Sequence, residues 1–289
     1  MQLRFLIVTD FLYGKETIFM KKIIFLITLA LISLSIFAIS RIALQEEQYS
    51  SPSKNTVQSK SNTHKSKSII DFLKQTSATK GNVKIVALGD SVTFGVGAIT
   101  KKGSRFSNAW GGLLKEYLNT ELDIPNLQVI NKGFPYRSTS DLIKEKRIEE
   151  VIHEQADLVI FEVCLFNNQS QVISLNQTAL DIDTIVTEIH KNSPNTLVLL
   201  QSPNPSTSRS ENKTNRIGLT YQDYLNHTKK HIKEKGWHYI DTYSAYQNFL
   251  IQKNLQLKET LNIDGIHPNN TGYMIWFEIL KAEFSKPLN

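Results

Sequence analysis

The chain has 289 residues, of which 40% are hydrophobic and 21% are charged. This composition excludes a disordered or collagen-like protein, and the length suits one catalytic domain of about 200 residues with appended segments. The net charge of +6 is mild and concentrated near the N-terminus, so it does not indicate a nucleic-acid-binding protein. The single cysteine, Cys164, excludes an internal disulfide and lies in an apolar run typical of a buried thiol.

A long apolar segment follows the first charged residues of the chain. Residues 23–40 are eighteen consecutive residues without a charge, which as a helix would extend roughly 27 Å, close to the thickness of a bilayer core. Lys21 and Lys22 precede this run, and positive charge before a span holds that side in the cytoplasm. We therefore predict a transmembrane signal anchor over 23–40, with residues 1–22 cytoplasmic and the remainder of the chain outside the membrane.

Two alternatives stay open for this segment. Met20 directly precedes the two lysines and looks like a natural start of an export signal, so residues 1–19 are interpreted as an upstream extension. Ala38-Ile39-Ser40 is a weak cleavage pattern, and cleavage there would release a secreted protein instead of leaving a membrane anchor.

Residues 41–67 are rich in Ser, Lys, Gln and Asn, which predicts a flexible linker to a domain over 68–289.

From residue 68 the pattern alternates between strands and helices. Short apolar runs predict buried strands, and polar-apolar periodic stretches between them predict helices. The strands are 83–88, 127–131, 158–163, 196–201 and 237–241, and the helices are 107–122, 139–155, 177–192, 221–235 and 271–284. This order predicts an α/β fold, a three-layer α/β/α sandwich with about five parallel strands. Ligands of such sheets bind beyond the carboxyl ends of the strands, and the polar loop 203–217 could border that cleft.

A serine stands where the first strand meets a glycine-rich turn, in Gly89-Asp90-Ser91. A serine hydroxyl at such a junction can project above the sheet, but it needs an adjacent base to act as a nucleophile. Taken alone, this tripeptide is most often an ordinary turn. The turn lacks the glycine and lysine spacing of a phosphate-binding loop, so no nucleotide cofactor is predicted.

A second polar motif, Asp264-Gly265-Ile266-His267-Pro268, precedes the last helix. The Asp-x-x-His spacing lets the carboxylate orient one imidazole nitrogen while the other faces a serine, which is the arrangement of a catalytic triad. In isolation the same residues also fit a capped turn and a surface histidine. Two such groups without a third ligand nearby are too few for a metal, so no metal is predicted.

Together, the motif ending in Ser91 on the first strand and the motif from Asp264 to His267 before the last helix resemble the SGNH/GDSL hydrolases. The resemblance covers about residues 81–285 and implies a flavodoxin-like SGNH fold. It also implies that Ser91 is the nucleophile, His267 the base and Asp264 the residue that orients the base.

The resemblance further implies an oxyanion hole. Its donors would be the N–H of Ser91, the N–H of Gly133 after the second strand, and the side-chain amide of Asn167 after the third. The family's third motif usually reads G-x-N-D, whereas this chain has Leu165-Phe166-Asn167-Asn168. A shift of one residue would select Asn168, so both asparagines stay open as the amide donor.

We therefore expect a serine esterase outside the cytoplasmic membrane that hydrolyses carboxylic esters of a glycan or a lipid without a cofactor. Two alternatives remain at this stage. The same triad would serve an O-acyltransferase that acts on cell-wall glycan, because sequence does not distinguish water from a sugar hydroxyl as acceptor. The departure at residues 165–168 would also suit a surface binding module that lost catalysis.

Overall fold

The computed structural model describes residues 68–100, 103–208 and 213–288. The predicted cytoplasmic segment, the anchor over 23–40 and the linker over 41–67 lie outside the described residues. Among the residues that are described, no helix is both long enough and apolar enough to cross a lipid bilayer.

The described chain alternates helices and strands. The strands are β1 (Val83–Gly89), β2 (Leu127–Gly133), β3 (Leu158–Glu162), β4 (Leu197–Gln201) and β5 (His238–Ile240). The helices are α1 (Ile69–Lys80), α2 (Ser91–Phe94), α3 (Trp110–Thr120), α4 (Thr139–Lys144), α5 (Arg147–His153), α6 (Leu165–Ser170), α7 (Leu175–Asn192), α8 (Tyr221–Glu234), α9 (Thr242–Lys253) and α10 (Asn270–Phe284). Two short 3-10 turns occupy Arg105–Asn108 and Leu257–Thr260.

All five strands form one parallel sheet in the order β2-β1-β3-β4-β5. The predicted α/β fold with five parallel strands is confirmed, and each predicted strand lies within two residues of its observed position. The strand order differs from the chain order at one place: β2 lies on one side of β1, and β3, β4 and β5 follow on the other side. The carboxyl ends of these strands meet at one edge of the sheet, where ligands of such folds bind.

Two apolar clusters cover the two faces of the sheet. Successive side chains of a strand point to opposite faces, so Ile85 and Ala87 of β1 pack with α1, α3, α9 and α10. Val86 and Leu88 instead pack with helices α4 to α8. Strands buried on both faces read as continuous apolar runs, which is why the sequence predicted them closely.

Some helices differ from the prediction. The stretch 139–155 forms two helices, because Lys146 adopts a left-handed conformation with φ of 59° and interrupts the hydrogen-bonding pattern between them. Four helices, α1, α2, α6 and α9, lie outside the predicted helical stretches. The last helix begins as predicted, because the side chain of Asn269 accepts the N–H of Gly272 at 3.1 Å and caps α10.

Candidate active site

The nucleophile candidate begins a short helix at the end of the central strand β1. The side chain of Asp90 accepts the N–H of Val92 at 3.0 Å and so caps α2 at its first turn. Ser91 is the first residue of that helix, where backbone N–H groups have no partner within the helix. Within the described residues the Ser91 N–H donates no hydrogen bond, so it is available to a ligand.

The base candidate lies in a tight loop before α10. Oδ1 of Asp264 accepts the backbone N–H groups of Ile266 and His267 at 2.9 and 3.0 Å, which fixes the loop. Oδ2 of the same carboxylate lies 2.6 Å from Nδ1 of His267. The carboxylate therefore holds both the backbone and the ring of the histidine, and it selects the tautomer with a proton on Nδ1.

The two motifs meet at the carboxyl edge of the sheet. Nε2 of His267 lies 2.9 Å from Oγ of Ser91, although the two residues are 176 positions apart in the chain. With Asp264 on the other ring nitrogen, the three predicted triad residues form one continuous chain of hydrogen bonds. This geometry lets the imidazole accept the hydroxyl proton while the carboxylate stabilises the resulting imidazolium.

The electrostatic state of Asp264 suits this arrangement. Its partial burial favours the neutral carboxyl, but hydrogen bonds from the ring of His267 and from the N–H groups of Ile266 and His267 outweigh that effect. The pKa of Asp264 is consequently lowered below its ordinary value, and the group is ionised at neutral pH.

Two residues that sequence analysis did not single out join the nucleophile turn to the base loop. Nδ2 of Asn262 lies within hydrogen-bond distance of the carbonyl oxygens of Gly97 at 3.2 Å and Pro268 at 3.0 Å. The hydroxyl of Tyr273 on α10 lies 2.7 Å from the carbonyl oxygen of Val96. No local signal marks these residues, because their partners are distant in the chain.

The two asparagines after β3 have different surroundings. Nδ2 of Asn167 donates to Oδ2 of Asp90 at 2.7 Å, so this amide lies beside the nucleophile turn. Asn168 is buried and its amide is used elsewhere: Oδ1 accepts the N–H of Thr139 at 2.9 Å, and Nδ2 donates to Thr139 and Thr178. This placement favours Asn167 over Asn168 as the amide donor to an oxyanion.

The third predicted donor, Gly133, is the last residue of β2. A Cβ on Gly133 would lie 2.1 Å from the backbone nitrogen of Phe94, so glycine is required for α2 to pass this closely. The Gly133 N–H donates to Oδ1 of Asn131 at 2.8 Å and would have to leave that acceptor to meet an oxyanion. Farther along, Tyr136 has a left-handed φ of 64°, and its N–H has no partner within the described chain.

Leu165, which stands where the family usually has glycine, has a regular helical backbone. Leu165 is the first residue of α6, and the left-handed turn occurs one position earlier, at Cys164 with φ of 51°. Asn167 therefore reaches Asp90 without a glycine at position 165. The Cys164 thiol is buried, and burial raises its pKa well above the ordinary value, so it is a structural group.

Comparison with known proteins agrees with this geometry. The family model described as "GDSL-like Lipase/Acylhydrolase family" matches residues 87–275, which span both motifs of the triad. The chain belongs to the GDSL-like lipase/acylhydrolase family. Members of this family are carboxylic ester hydrolases, and this GDSL-like acylhydrolase is one of them. No curated protein sequence matches the chain.

Solved structures share the fold of this GDSL-like acylhydrolase. A catalytic mutant of Axe2, an acetylxylan esterase from Geobacillus stearothermophilus, is 20% identical with a TM-score of 0.56, covering 70% of this chain and 94% of that one. The lipase/acylhydrolase from Enterococcus faecalis is 22% identical with a TM-score of 0.54, again over 70% and 94%. LAE5, an alpha/beta hydrolase from the metagenome of Lake Arreo in Spain, is 17% identical with a TM-score of 0.54 over the same shares.

The contrast between the two asparagines gives a first prediction. Asn167→Ala should lower kcat by ~10²–10³-fold, because one donor to the oxyanion is lost, while the unfolding free energy changes little. Asn168→Ala should destabilise the protein by about 1–3 kcal/mol, because it leaves buried polar groups of Thr139 and Thr178 without their partner.

Steady-state kinetics and urea unfolding of the two variants test this assignment. If Asn168→Ala shows the large loss of kcat at unchanged stability and Asn167→Ala does not, the amide donor is Asn168.

Proposed function

We propose that this acylhydrolase cleaves carboxylic esters through an acyl-enzyme on Ser91, with His267 as base and Asp264 as the group that orients the base. The observation that carries the proposal is the unbroken contact from Oγ of Ser91 to Nε2 of His267 at 2.9 Å and from Nδ1 to Asp264 at 2.6 Å. The alternative interpretation, a capped turn with a surface histidine, does not explain a contact between His267 and a serine 176 positions away.

The proposed reaction has two halves. Ser91 Oγ attacks the ester carbonyl carbon while its proton passes to Nε2 of His267, and the imidazolium then protonates the departing alcohol. In the second half a water molecule attacks the acyl-enzyme, His267 takes one of its protons, and that proton returns to Ser91 as the acid leaves. Asp264 stays ionised throughout and stabilises the imidazolium in both halves.

The negative charge of each tetrahedral intermediate needs donors that are already in place. The Ser91 N–H supplies one of these donors. The Nδ2 of Asn167 supplies a second: one of its hydrogens is bonded to Asp90, and the other is left for the oxyanion. The third donor comes from the carboxyl end of β2. We assign it to the N–H of Gly133, which must exchange its bond with Asn131 when substrate binds. The N–H of Tyr136, in the loop that follows, has no partner within the described chain and is the alternative donor.

We place the substrate and the enzyme outside the cytoplasmic membrane. The apolar segment 23–40 behind Lys21 and Lys22 supports a membrane anchor, and the polar stretch 41–67 supports a tether to the catalytic domain. Ester substrates in that location are acylated glycans and lipids. Because Axe2, on the same fold, is named an acetylxylan esterase, an acetylated glycan is the first substrate to test.

The catalytic part of the proposal predicts the behaviour of Ser91→Ala. This variant should lose at least about 10³-fold in kcat on p-nitrophenyl acetate, because the nucleophile is absent while the oxyanion donors remain. Its melting temperature should stay close to that of the wild type. Undiminished hydrolysis by the folded variant would exclude Ser91 as nucleophile.

A panel of esters from acetyl to long-chain acyl groups then identifies the substrate class, since preference for acetyl supports a glycan and preference for long chains supports a lipid.

The location is tested separately in intact cells of the source organism. Added protease should degrade the catalytic domain without lysis, because the tether exposes the domain on the outer side of the membrane. A domain that is digested only after lysis would place the enzyme in the cytoplasm and contradict the proposed anchor orientation.

A further inference from the structure

Two carboxyl groups are buried together directly beneath the nucleophile turn. Asp90 follows β1 and Glu162 ends β3, and these strands are neighbours in the sheet. Both side chains are buried, Glu162 completely, and their carboxyl oxygens lie within 4.8 Å of each other. Gly89 admits this contact, since a Cβ at that position would lie 2.8 Å from Oε2 of Glu162.

Each of the four carboxyl oxygens already accepts a hydrogen bond. The oxygens of Glu162 accept the backbone N–H of Cys164 at 2.9 Å and of Asp90 at 3.1 Å. The oxygens of Asp90 accept the N–H of Val92 at 3.0 Å and the amide of Asn167 at 2.7 Å. The four donors around the pair therefore stabilise one negative charge on it.

A second negative charge has no partner at this place. Among the described residues, no lysine or arginine forms an ion pair with either carboxylate. Two adjacent buried carboxylates without a lysine or arginine partner repel each other, and this repulsion favours one retained proton on the pair. Burial, together with the charge of Asp90, raises the pKa of Glu162 well above its ordinary value. Burial also raises the pKa of Asp90, although the hydrogen bond from Val92, the interaction with Glu162, the positive charge of a protonated His267 and the amide of Asn167 oppose the shift.

The same cluster could be read as a cation site, because Cys164 lies beside the two acids. Its donor set does not fit a resident cation. The carboxyl oxygens face N–H groups, and the raised pKa of the Cys164 thiol keeps that group protonated and uncharged.

We propose that Glu162 is a positioning residue for the esterase reaction: it keeps the proton of the pair, donates it to Asp90, and thereby holds Asp90 as a carboxylate aimed at the Asn167 amide. This inference rests on the proposed function. An ionised carboxylate accepts hydrogen bonds and donates none, so only the NH₂ side of an amide can face it. With Asp90 ionised, Asn167 cannot flip, and its second N–H stays directed at the oxyanion.

The proton on Glu162 decides this orientation. If Asp90 carried the proton, its hydroxyl would donate to Oδ1 of Asn167, and the amide would turn its NH₂ group away. The intermediate would then lose a donor, which lowers kcat while substrate binding is preserved. Glu162 thus acts through Asp90 and Asn167 and touches neither substrate nor the reacting atoms.

Glu162→Met and Glu162→Gln form a matched pair that tests the proposal. Methionine fills a similar volume but donates nothing, so Asp90 takes up a proton itself, and kcat should fall by about 10–100-fold while KM stays within about twofold. Glutamine still donates to Asp90 through its NH₂ group, although one backbone N–H then loses its acceptor, so Glu162→Gln should lose some stability but retain kcat within about fivefold of the wild type. Asp157→Asn, a buried acid at the opposite end of β3, is the control and should leave kcat unchanged.

A double-variant cycle separates positioning from packing. If Glu162 acts through the amide, Glu162→Met should cost no further kcat when it is added to Asn167→Ala. Additive losses, or a Glu162→Met variant as active as the wild type, would overturn the proposal. The proposed function fails separately, since that failure would appear as full activity in Ser91→Ala.

The proton itself is measured through stability. A carboxyl whose pKa is raised by folding stabilises the protein below its ordinary pKa, and this stabilisation is lost as pH rises toward the folded pKa. As the pH rises from about 5, just above the ordinary pKa of the carboxyl, the wild type should therefore lose melting temperature relative to Glu162→Gln. The other titratable groups facing the pair are the same in both proteins: Cys164, Tyr221, Tyr273 and His267.

Parallel melting curves of wild type and Glu162→Gln over this rise in pH would overturn the assignment of the proton. Infrared spectra of the unmodified enzyme provide a check that needs no variant. A buried protonated carboxyl band should persist at neutral pH, and its absence would contradict the shared proton.

Discussion

The active site depends on the parallel arrangement of the strands. Because β1, β2, β3 and β4 all run in one direction, their carboxyl ends lie at one edge of the sheet, and side chains that follow neighbouring strands there lie close together. Ser91 and Asn167 each follow one of these strands by a few residues. The proposed base, His267, lies far along the sequence on the loop before α10, and its contact with Ser91 joins the two regions.

Three acidic groups near the nucleophile have different states because their surroundings differ. Asp264 is partly exposed and accepts three hydrogen bonds, so its pKa is lowered and it supports an imidazolium. Glu162 is fully buried beside another acid, so its pKa is raised well above its ordinary value, and in our proposal it keeps a proton. Asp90 lies between these cases and carries the negative charge of the buried pair in our proposal. Environment, and not residue type, sets the role of each carboxyl group.

The sheet and the triad candidates were accessible from the sequence for clear reasons. Strands buried on both faces are continuous apolar runs, and both motifs have a fixed spacing that resembles one family. Glu162, Asn262 and Tyr273 were not accessible in the same way. Each contacts a partner that is distant in the chain, such as the Val96 carbonyl oxygen for Tyr273. The residues next to it in the sequence do not indicate such a contact.

Asn167 and Asn168 show the same limit at closer range. The sequence placed two adjacent amides after β3, and only the direction of each side chain distinguishes them. Helix α6 turns Asn167 toward Asp90 and Asn168 toward Thr139. The break of the predicted helix 139–155 at Lys146 is a further case, because a left-handed lysine is not signalled by its residue type.

The central claim is that the imidazole of His267 activates the hydroxyl of Ser91. Reaction with a fluorophosphonate, followed by mass spectrometry of the digested protein, tests it most directly. We expect an adduct on the peptide that contains Ser91 in the wild type, and a labelling rate lower by at least about 10³-fold in folded His267→Ala, where the serine is still present. Equal labelling of the two proteins, or an adduct on another residue, would contradict it.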